Sequence, residues 1–590
     1  MPDRALRVAT VVFVLAGLWI VALLQFGLQL GLDEVEFFRA TRWLAEGKVP
    51  YLDFWEHHTP LQWLLFAPVA AVADGPASGS IILMRWAQLP LWIAIFWLVL
   101  MFGRHADVDR PGLAMAVLLV VLSSTFVHRA IEYRVDVPGN LAFIGGLLAI
   151  SFATTRQRWI VFGALMSAAV LANMRLGPLV MFTGALTLFW RGHERRWAFN
   201  SKALWMAAGI APVAIVFFTG LAATRSMDAF IENVVGFNRE YGRVLSVRNF
   251  SETLLIPVWT LDLAGCMFWI VAGAGSWIAL RSIREPGPLQ VLAVVAIAGM
   301  FAIWSMHVVY DYHFQNTWLL MVPLAGVALE RLWRSMWRHA VVGVAVIALF
   351  LEVAKTTPTF GAALHYQDSL MRAVDRTTLP GETVFDGTGY ALRRQPAWRY
   401  WFLTTGVRFL SAEGVLERYD APQMAARPPA AIITDYRLMQ HFELFPRLRS
   451  YAFRHYLPLY RDLWIPGMTA LIGPAPRRFI WTVPRAGRYD AWTSDLLAKH
   501  PWVSRREEFA TTRPANASDF EIPLQELPPS AASLRWTVDG KPLPPGTRSL
   551  HLSRGSRVEL TASAPAAAGV LLVPHGVTTL CIAPEGAMSF

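Results

Sequence analysis

The chain has 590 residues, 55% of them hydrophobic and only 16% charged, with a formal net charge of +11. It is too apolar for an ordinary soluble protein and too long for one domain, so it must partition between lipid and water. Its basic residues, nearly all Arg, punctuate the apolar spans instead of forming a tract, which argues against nucleic acid as a partner and for membrane orientation.

The first apolar span, Val8 to Leu30, follows Arg4 and Arg7 and has no A-x-A cleavage signal after it. At that length it can cross a bilayer of about 30 Å, and it reads as a first helix with its N-terminus in the cytoplasm. Further spans are predicted at Ser80 to Phe102, Pro111 to Val127, Val137 to Ala153, Trp159 to Ala172, Gly177 to Trp190, Leu204 to Ala223, Val258 to Leu280, Pro288 to Met306, Trp318 to Glu330 and Ala340 to Val353. That makes a polytopic α-helical membrane protein with about 11 transmembrane helices. The short Arg-bearing connections at 104–110, 156–158, 191–202, 281–284 and 331–338 then fall inside, as the positive-inside rule requires. The connections at 32–58, 128–136, 173–175, 225–257 and 307–315 face outside, and so does everything after Lys355. The apolar piece Pro60 to Ala73 is too short to cross and is expected to lie at the outer interface or re-enter from it.

Beyond the helical domain, residues 1–355, the pattern changes to that of a soluble protein. Short apolar runs at Glu382 to Phe385, Ala430 to Thr434 and Met468 to Ile472 predict strands of an extracytoplasmic α/β domain over residues 356–475. From Phe479 onward the pattern is all-β: Phe479 to Val483, Gly487 to Trp492, Leu534 to Val538, the Asp539-Gly540 turn signal, Ser549 to Leu552 and Val558 to Thr561. This predicts a β-sandwich-like domain over residues 476–590. The two cysteines, Cys266 in an apolar span and Cys581 near the end, give redox chemistry no foothold.

The polar residues with chemical potential sit on the outer connections. Asp33 and Glu34 stand at the exit of the first span, where acidic residues either perform a function or cap the next helix. Arg134 and Asp136 lie on the second connection, and Arg175 sits on a third so short that its guanidinium stays at the membrane face. There it either snorkels to lipid headgroups or binds a phosphate through both arms of its fork. Carboxylates beside guanidinium groups at a lipid boundary suit a substrate with a phosphate head and a lipid tail. Other signals are discounted. Asp107-Val-Asp109 has the form of a nucleotide-sugar metal motif but occupies a short cytoplasmic turn. Glu56-His57-His58 offers adjacent side chains that rarely converge on one ion, and Zn sites need about three or four ligands, so no metal is expected. No glycine-rich phosphate loop is present, and no cofactor is expected.

Taken in order, Asp33-Glu34, Gly47-x-x-Pro50-Tyr51, His58-x-Pro60-Leu61, Arg134-x-Asp136, Arg175 and Tyr312-His313-Phe314 before Pro323 resemble the type C glycosyltransferases. The resemblance is to the bacterial branch related to protein O-mannosyltransferases and the lipid A aminoarabinose transferase. It implies transfer of a sugar from a polyprenyl-phosphate carrier to a hydroxyl on an envelope acceptor (lipid A or lipopolysaccharide, polysaccharide or protein), among membrane lipids. It places the base or acceptor-positioning carboxylate on Asp33, with Glu34 the adjacent candidate. Arg175 takes the place of a family Lys or Arg at the lipid phosphate. Arg134, Asp136, Tyr312 and His313 join the binding set, and His57 or His58 stands where the family often has Lys. The Arg-rich composition suggests a GC-rich bacterium, hence an inner membrane with the C-terminal domain in the periplasm. A lipid-linked glycan transporter or flippase and a noncatalytic sugar sensor are the alternatives. Transporters place charge near the midplane and often repeat their halves, and neither feature is evident here.

Overall fold

The computed structural model describes residues 21 and 24–582, apart from 74–76, 153–154, 191–195, 246–261, 282–286, 307–308, 335–342, 344–345, 348, 352–361, 461, 473–476, 495–519, 527–533, 563–567 and 578. The chain divides into two compact units, Met1–Leu364 and His365–Phe590.

The first unit is helical. Among the described residues, three helices are long and apolar enough to cross a membrane: Ser78–His105, Ser201–Ala223 and Leu263–Leu280. A fourth crossing is possible if Arg110–Leu122 and Ser124–Ile131, bent by 74° at their junction, count as one span. Leu61–Ala71, Asp136–Ser151, Met174–Leu188 and Pro288–Trp304 are apolar but shorter. The expected spans at Val8 to Leu30 and Ala340 to Val353 lie mostly outside the described residues. The bend in the predicted Pro111 to Val127 span has an identifiable cause. Ser123 is extended at the junction, and Asp262 Oδ2 accepts from the Ser123 and Ser124 hydroxyls and the Thr125 N–H at 3.1, 2.8 and 3.2 Å. One carboxylate thus satisfies the donors that the break exposes.

The Gln315–Trp333 helix is buried along most of its length and packs against Arg110–Leu122, Leu263–Leu280 and Pro288–Trp304. Small residues allow these backbones to approach closely, as is usual between helices in lipid. A Cβ on Gly275 would stand 1.8 Å from the Leu324 carbonyl oxygen, and one on Gly209 1.9 Å from that of Ile160. The Leu61–Ala71 helix has only 11 residues, or about 16 Å, which is too short for a crossing.

The second unit carries a five-stranded sheet of order β2-β1-β3-β5-β4. Its strands are β1 (Thr383–Asp386), β2 (Gln395–Pro396), β3 (Ala431–Ile433), β4 (Tyr456–Tyr460) and β5 (Leu463–Pro466). β1 is parallel to β2 and β3, whereas β5 is antiparallel to β3 and β4. The run Met468–Ile472, expected in this α/β part, is a strand (β6) of a different sheet, where it pairs with β15 (Ala568–Pro574). A short apolar run marks a strand but cannot name its partner.

The remaining strands are β7 (Arg477–Thr482), β8 (Gly487–Ser494), β9 (Phe520–Pro523), β10 (Gln525–Glu526), β11 (Arg535–Val538), β12 (Lys541–Pro542), β13 (Ser549–Leu552), β14 (Arg557–Ala562), β15 and β16 (Thr579–Ile582). One sheet runs β10-β8-β15-β6 with β13 also on β8, another runs β12-β11-β14-β7, and β9 pairs with β16. The alternating inward residues Trp481, Tyr489, Trp536, Leu550, Leu560 and Leu572 form a common core between the two larger sheets, as in a sandwich. Asp539 and Gly540 both have positive φ, 50° and 78°, the turn conformation that an Asp-Gly pair favours between two strands.

Candidate active site

The Leu32–Ala45 helix begins at Gly31, and its first turn carries Asp33 and Glu34. Neighbours in sequence, they meet different environments. Glu34 is fully buried, and its oxygens accept from Arg85 Nε at 2.6 Å, Arg85 Nη2 at 2.7 Å, Gly31 N at 3.1 Å and Tyr133 N at 3.1 Å. Every acceptor direction is engaged, so Glu34 holds structure: it caps its own helix and ties it to the Ala77–His105 helix and to the 132–136 segment. Asp33 Oδ2 pairs with Arg134 Nη1 at 3.1 Å and keeps 25% of its side chain exposed. The other carboxylates around it, Glu132 and Asp136, keep 6% and 7%.

The second connection is shaped by Gln88, which donates to the Glu132 carbonyl at 2.8 Å and accepts from the Arg134 N–H at 3.1 Å. This turns Arg134 inward, where Nη1 meets Glu132 Oε2 at 3.0 Å and Nε meets Asp136 Oδ2 at 3.1 Å. Burial disfavours the Arg134 charge, but Asp33, Asp136 and Glu132 outweigh it and hold the pKa well above the ordinary value. The three carboxylates engage Nε and Nη1, which fixes the guanidinium beside Asp33, while Nη2 has no hydrogen-bond partner among the described residues. Glu132 also accepts from Arg129 at 2.8 Å, and Arg129 pairs with Asp311 at 3.2 Å. Gly31 packs tightly beside this network: a Cβ there would stand 2.8 Å from the Glu132 carboxyl and would push that side chain aside.

Arg175 lies in a single 3-10 turn, Met174–Leu176, capped by Asn173, whose side chain accepts from the Arg175 N–H at 3.1 Å. Asn173 Nδ2 in turn donates to Asp136 Oδ1 at 2.7 Å, which fixes the turn against the Arg134 network. The Arg175 guanidinium forms no ion pair with a carboxylate among the described residues. Tyr312 joins the basic groups: its ring lies 3.7 Å from Arg134 Cζ, 5.6 Å from Arg175 Cζ and 5.8 Å from Arg129 Cζ, within cation–π range. His313 Nδ1 accepts from the Tyr310 N–H at 3.3 Å. Burial together with Arg175 and Arg134 keeps this ring well below the usual histidine pKa, so it is neutral at pH 7 with its proton on Nε2. Nε2 has no partner among the described residues. A pocket here is lined by Asp136, Asn140, Asn173, Arg175, His313 and Asn316.

No protein-family model matches this sequence, and no curated protein matches it. Among solved structures, ArnT from Cupriavidus metallidurans in the apo state superposes with a TM-score of 0.55 at 13% identity, over 78% of this chain and 98% of that one. The chain shares the fold of that protein. ArnT bound to undecaprenyl phosphate aligns less well, with a TM-score of 0.44 at 15% identity over 80% of this chain and 92% of that one. For the Archaeoglobus fulgidus oligosaccharyltransferase complex with Zn and sulfate, the TM-score is 0.45 at 14% identity, over 76% of this chain and 72% of that one.

The expected residues Asp33, Arg134, Asp136, Arg175, Tyr312 and His313 form one connected group. His57 and His58 sit apart from it in hydrogen bonding, turned toward Glu36 and Glu56. Sequence reading missed Arg85, Gln88, Arg129 and Asp311. Arg85 carried a usable signal, since a charged residue inside an apolar span seldom lacks a purpose.

Proposed function

We propose that this chain is a membrane glycosyltransferase that moves a sugar from a polyprenyl-phosphate carrier to a hydroxyl of an envelope acceptor: lipid A or lipopolysaccharide, polysaccharide or protein. The observation that carries the reading is the pairing of a partly exposed Asp33, oriented by Arg134, with an Arg175 that has no carboxylate partner among the described residues. Asp33 takes the proton of the acceptor hydroxyl as its oxygen attacks the sugar's anomeric carbon, and the bond from that carbon to the phosphate oxygen breaks. Arg175 receives the departing phosphate, while His313 Nε2–H and the Asn side chains of the pocket offer donors to the sugar. None of these steps uses a nucleotide.

Arg175→Ala is expected to lower kcat/KM by about 10- to 100-fold, because a hydrogen bond to a charged group is worth about 1.5–3 kcal/mol. Arg175→Lys should recover part of this, since it keeps the charge but loses the fork. The assay is sugar transfer from a purified polyprenyl-phosphate sugar in detergent without nucleotide. An absolute need for a nucleotide-sugar, or full activity in Arg175→Ala, counts against the reading.

The reading includes about 11 spans over residues 1–355, an α/β domain over 356–475 and a β-sandwich-like domain over 476–590. The site and both C-terminal domains are on the periplasmic side of a bacterial inner membrane. Single cysteines at Ser246 and Ala531, introduced after removal of Cys266 and Cys581, should react with an impermeant thiol reagent in spheroplasts. One at Phe199 should not, and labelling at Phe199 alone would invert the topology.

A further inference from the structure

The loop that follows the Leu32–Ala45 helix folds Glu56, His57 and His58 back onto Glu36, which lies one turn into that helix. All four side chains are at least nine-tenths buried, with 0% of Glu56, 1% of Glu36, 6% of His57 and 8% of His58 exposed. One ligand atom from each lies within 4.8 Å of every other. His57 Nδ1 is 3.5 Å from Glu36 Oε1 and 3.4 Å from Glu56 Oε1, and His58 Nδ1 is 4.0 Å from Glu36 Oε1. Ligand atoms held at about 2.0–2.2 Å around a tetrahedral ion stand roughly 3.4 Å apart, so these separations match a shared ion. The His58 Nδ1 to Glu56 Oε1 distance of 2.8 Å is the one that must open.

Two atoms in the cluster point to something that the protein does not supply. His57 Nδ1 and Glu56 Oε2 are buried and make no hydrogen bond. An unsatisfied buried acceptor costs about 1–3 kcal/mol, and more when it is charged. A carboxylate as deep as that of Glu56 needs positive charge at close range. The surroundings have the character of a closed site: Trp55 stacks on His57 with centroids 5.2 Å apart, Phe237 meets His57 edge-on at 5.2 Å, and Phe37 meets His58 at 4.9 Å. The loop backbone is also fixed. Tyr51 Oη donates to the His58 carbonyl at 2.8 Å, and Asn238 Nδ2 donates to that of His57 at 2.9 Å.

We propose that Glu36, Glu56, His57 and His58 bind one divalent first-row transition-metal ion, Zn²⁺ being the best match, as a structural clamp that closes the first loop onto its helix. Two imidazoles with two carboxylates suit Zn²⁺ and its neighbours over Mg²⁺ or Ca²⁺, which prefer oxygen alone. The expectation of no metal rested on three consecutive side chains that cannot surround an ion; the helix supplies the missing fourth, Glu36. Four protein ligands leave no open position, so the ion holds the loop and does not activate water.

The full chain, purified in detergent, loaded with Zn²⁺ and freed of excess by gel filtration, should carry one Zn²⁺ per molecule by plasma mass spectrometry. His57→Ala and Glu36→Gln should retain at least 10-fold less. Since an unfolded loop would also release the ion, the unaltered protein gives a second measurement: Co²⁺ in place of Zn²⁺ should produce the intense visible absorption of a four-coordinate ion. A loaded wild type without stoichiometric metal, a His57→Ala protein that keeps it, or only the weak spectrum of six-coordinate Co²⁺ would overturn the assignment. Metal content is read without any transfer assay, so the clamp and the proposed activity can fail separately.

Discussion

Asp33→Asn should lower the rate of sugar transfer by about 10²–10⁴-fold, or roughly 3–5 kcal/mol in the barrier, with little change in the amount of folded protein. The substitution keeps size and polarity but removes the ability to take a proton. It acts where the fold has least at stake, because Asp33 is the most exposed carboxylate of its group and Arg134 retains Glu132 and Asp136 as partners. Glu46→Gln is the matched control: it lies at the end of the same helix, 43% exposed, paired with Arg42 four residues earlier, and should transfer sugar at the wild-type rate. Full activity in Asp33→Asn would remove Asp33 from the chemistry.

The second large effect is on stability. Glu34→Ala should destabilise the helical unit by about 3–5 kcal/mol, the usual result of stripping one partner from a buried ion pair. Arg85 has no exposed side-chain surface. Besides its two bonds to Glu34 it donates to the carbonyls of Gln25, Leu28 and Gln29 at 3.2, 3.0 and 2.9 Å. Without Glu34 its charge stays buried and uncompensated. The readout is the thermal unfolding midpoint of the detergent-purified chain, which should fall clearly, whereas that of Asp33→Asn should not. A Glu34→Leu, Arg85→Met double variant should recover part of the loss, because it removes both charges together. A Glu34→Ala protein that melts like wild type but does not transfer sugar would reverse the roles of the two acids.

The contrast between these neighbours shows what could be read from sequence. An acidic pair at the end of a long apolar span was legible as a place of interest, as were Arg134-x-Asp136 and the trapped Arg175. Which of the two acids is buried was not, because that is decided by Arg85, 51 positions further along from Glu34. Glu56, His57 and His58 were visible as a run, but Glu36, lying 20 residues earlier, becomes their neighbour only once the loop turns back. The sandwich strands β7, β8, β11, β13 and β14 followed from alternation and from the Asp-Gly turn. The sheet to which Met468–Ile472 belongs did not, since pairing with β15 is a tertiary choice between segments almost 100 residues apart. The bend at Ser123 likewise depends on Asp262, a partner far along the chain.

The Arg85 hub also has a consequence for how the protein is made. Its donors reach the carbonyls just before Leu30 and the carboxylate just after it, so this one residue fixes the corner between the end of the first apolar span and the Leu32–Ala45 helix. During synthesis, the stretch bearing Asp33 emerges some fifty residues ahead of that corner-piece. Until the helix carrying Arg85 enters the bilayer, Glu34 lacks its counter-charge and the corner has nothing to hold it. Asp33 therefore gains its final orientation only after insertion of the Ala77–His105 helix, and a ribosome-bound chain that ends before that helix presents the acidic pair without its partner Arg85.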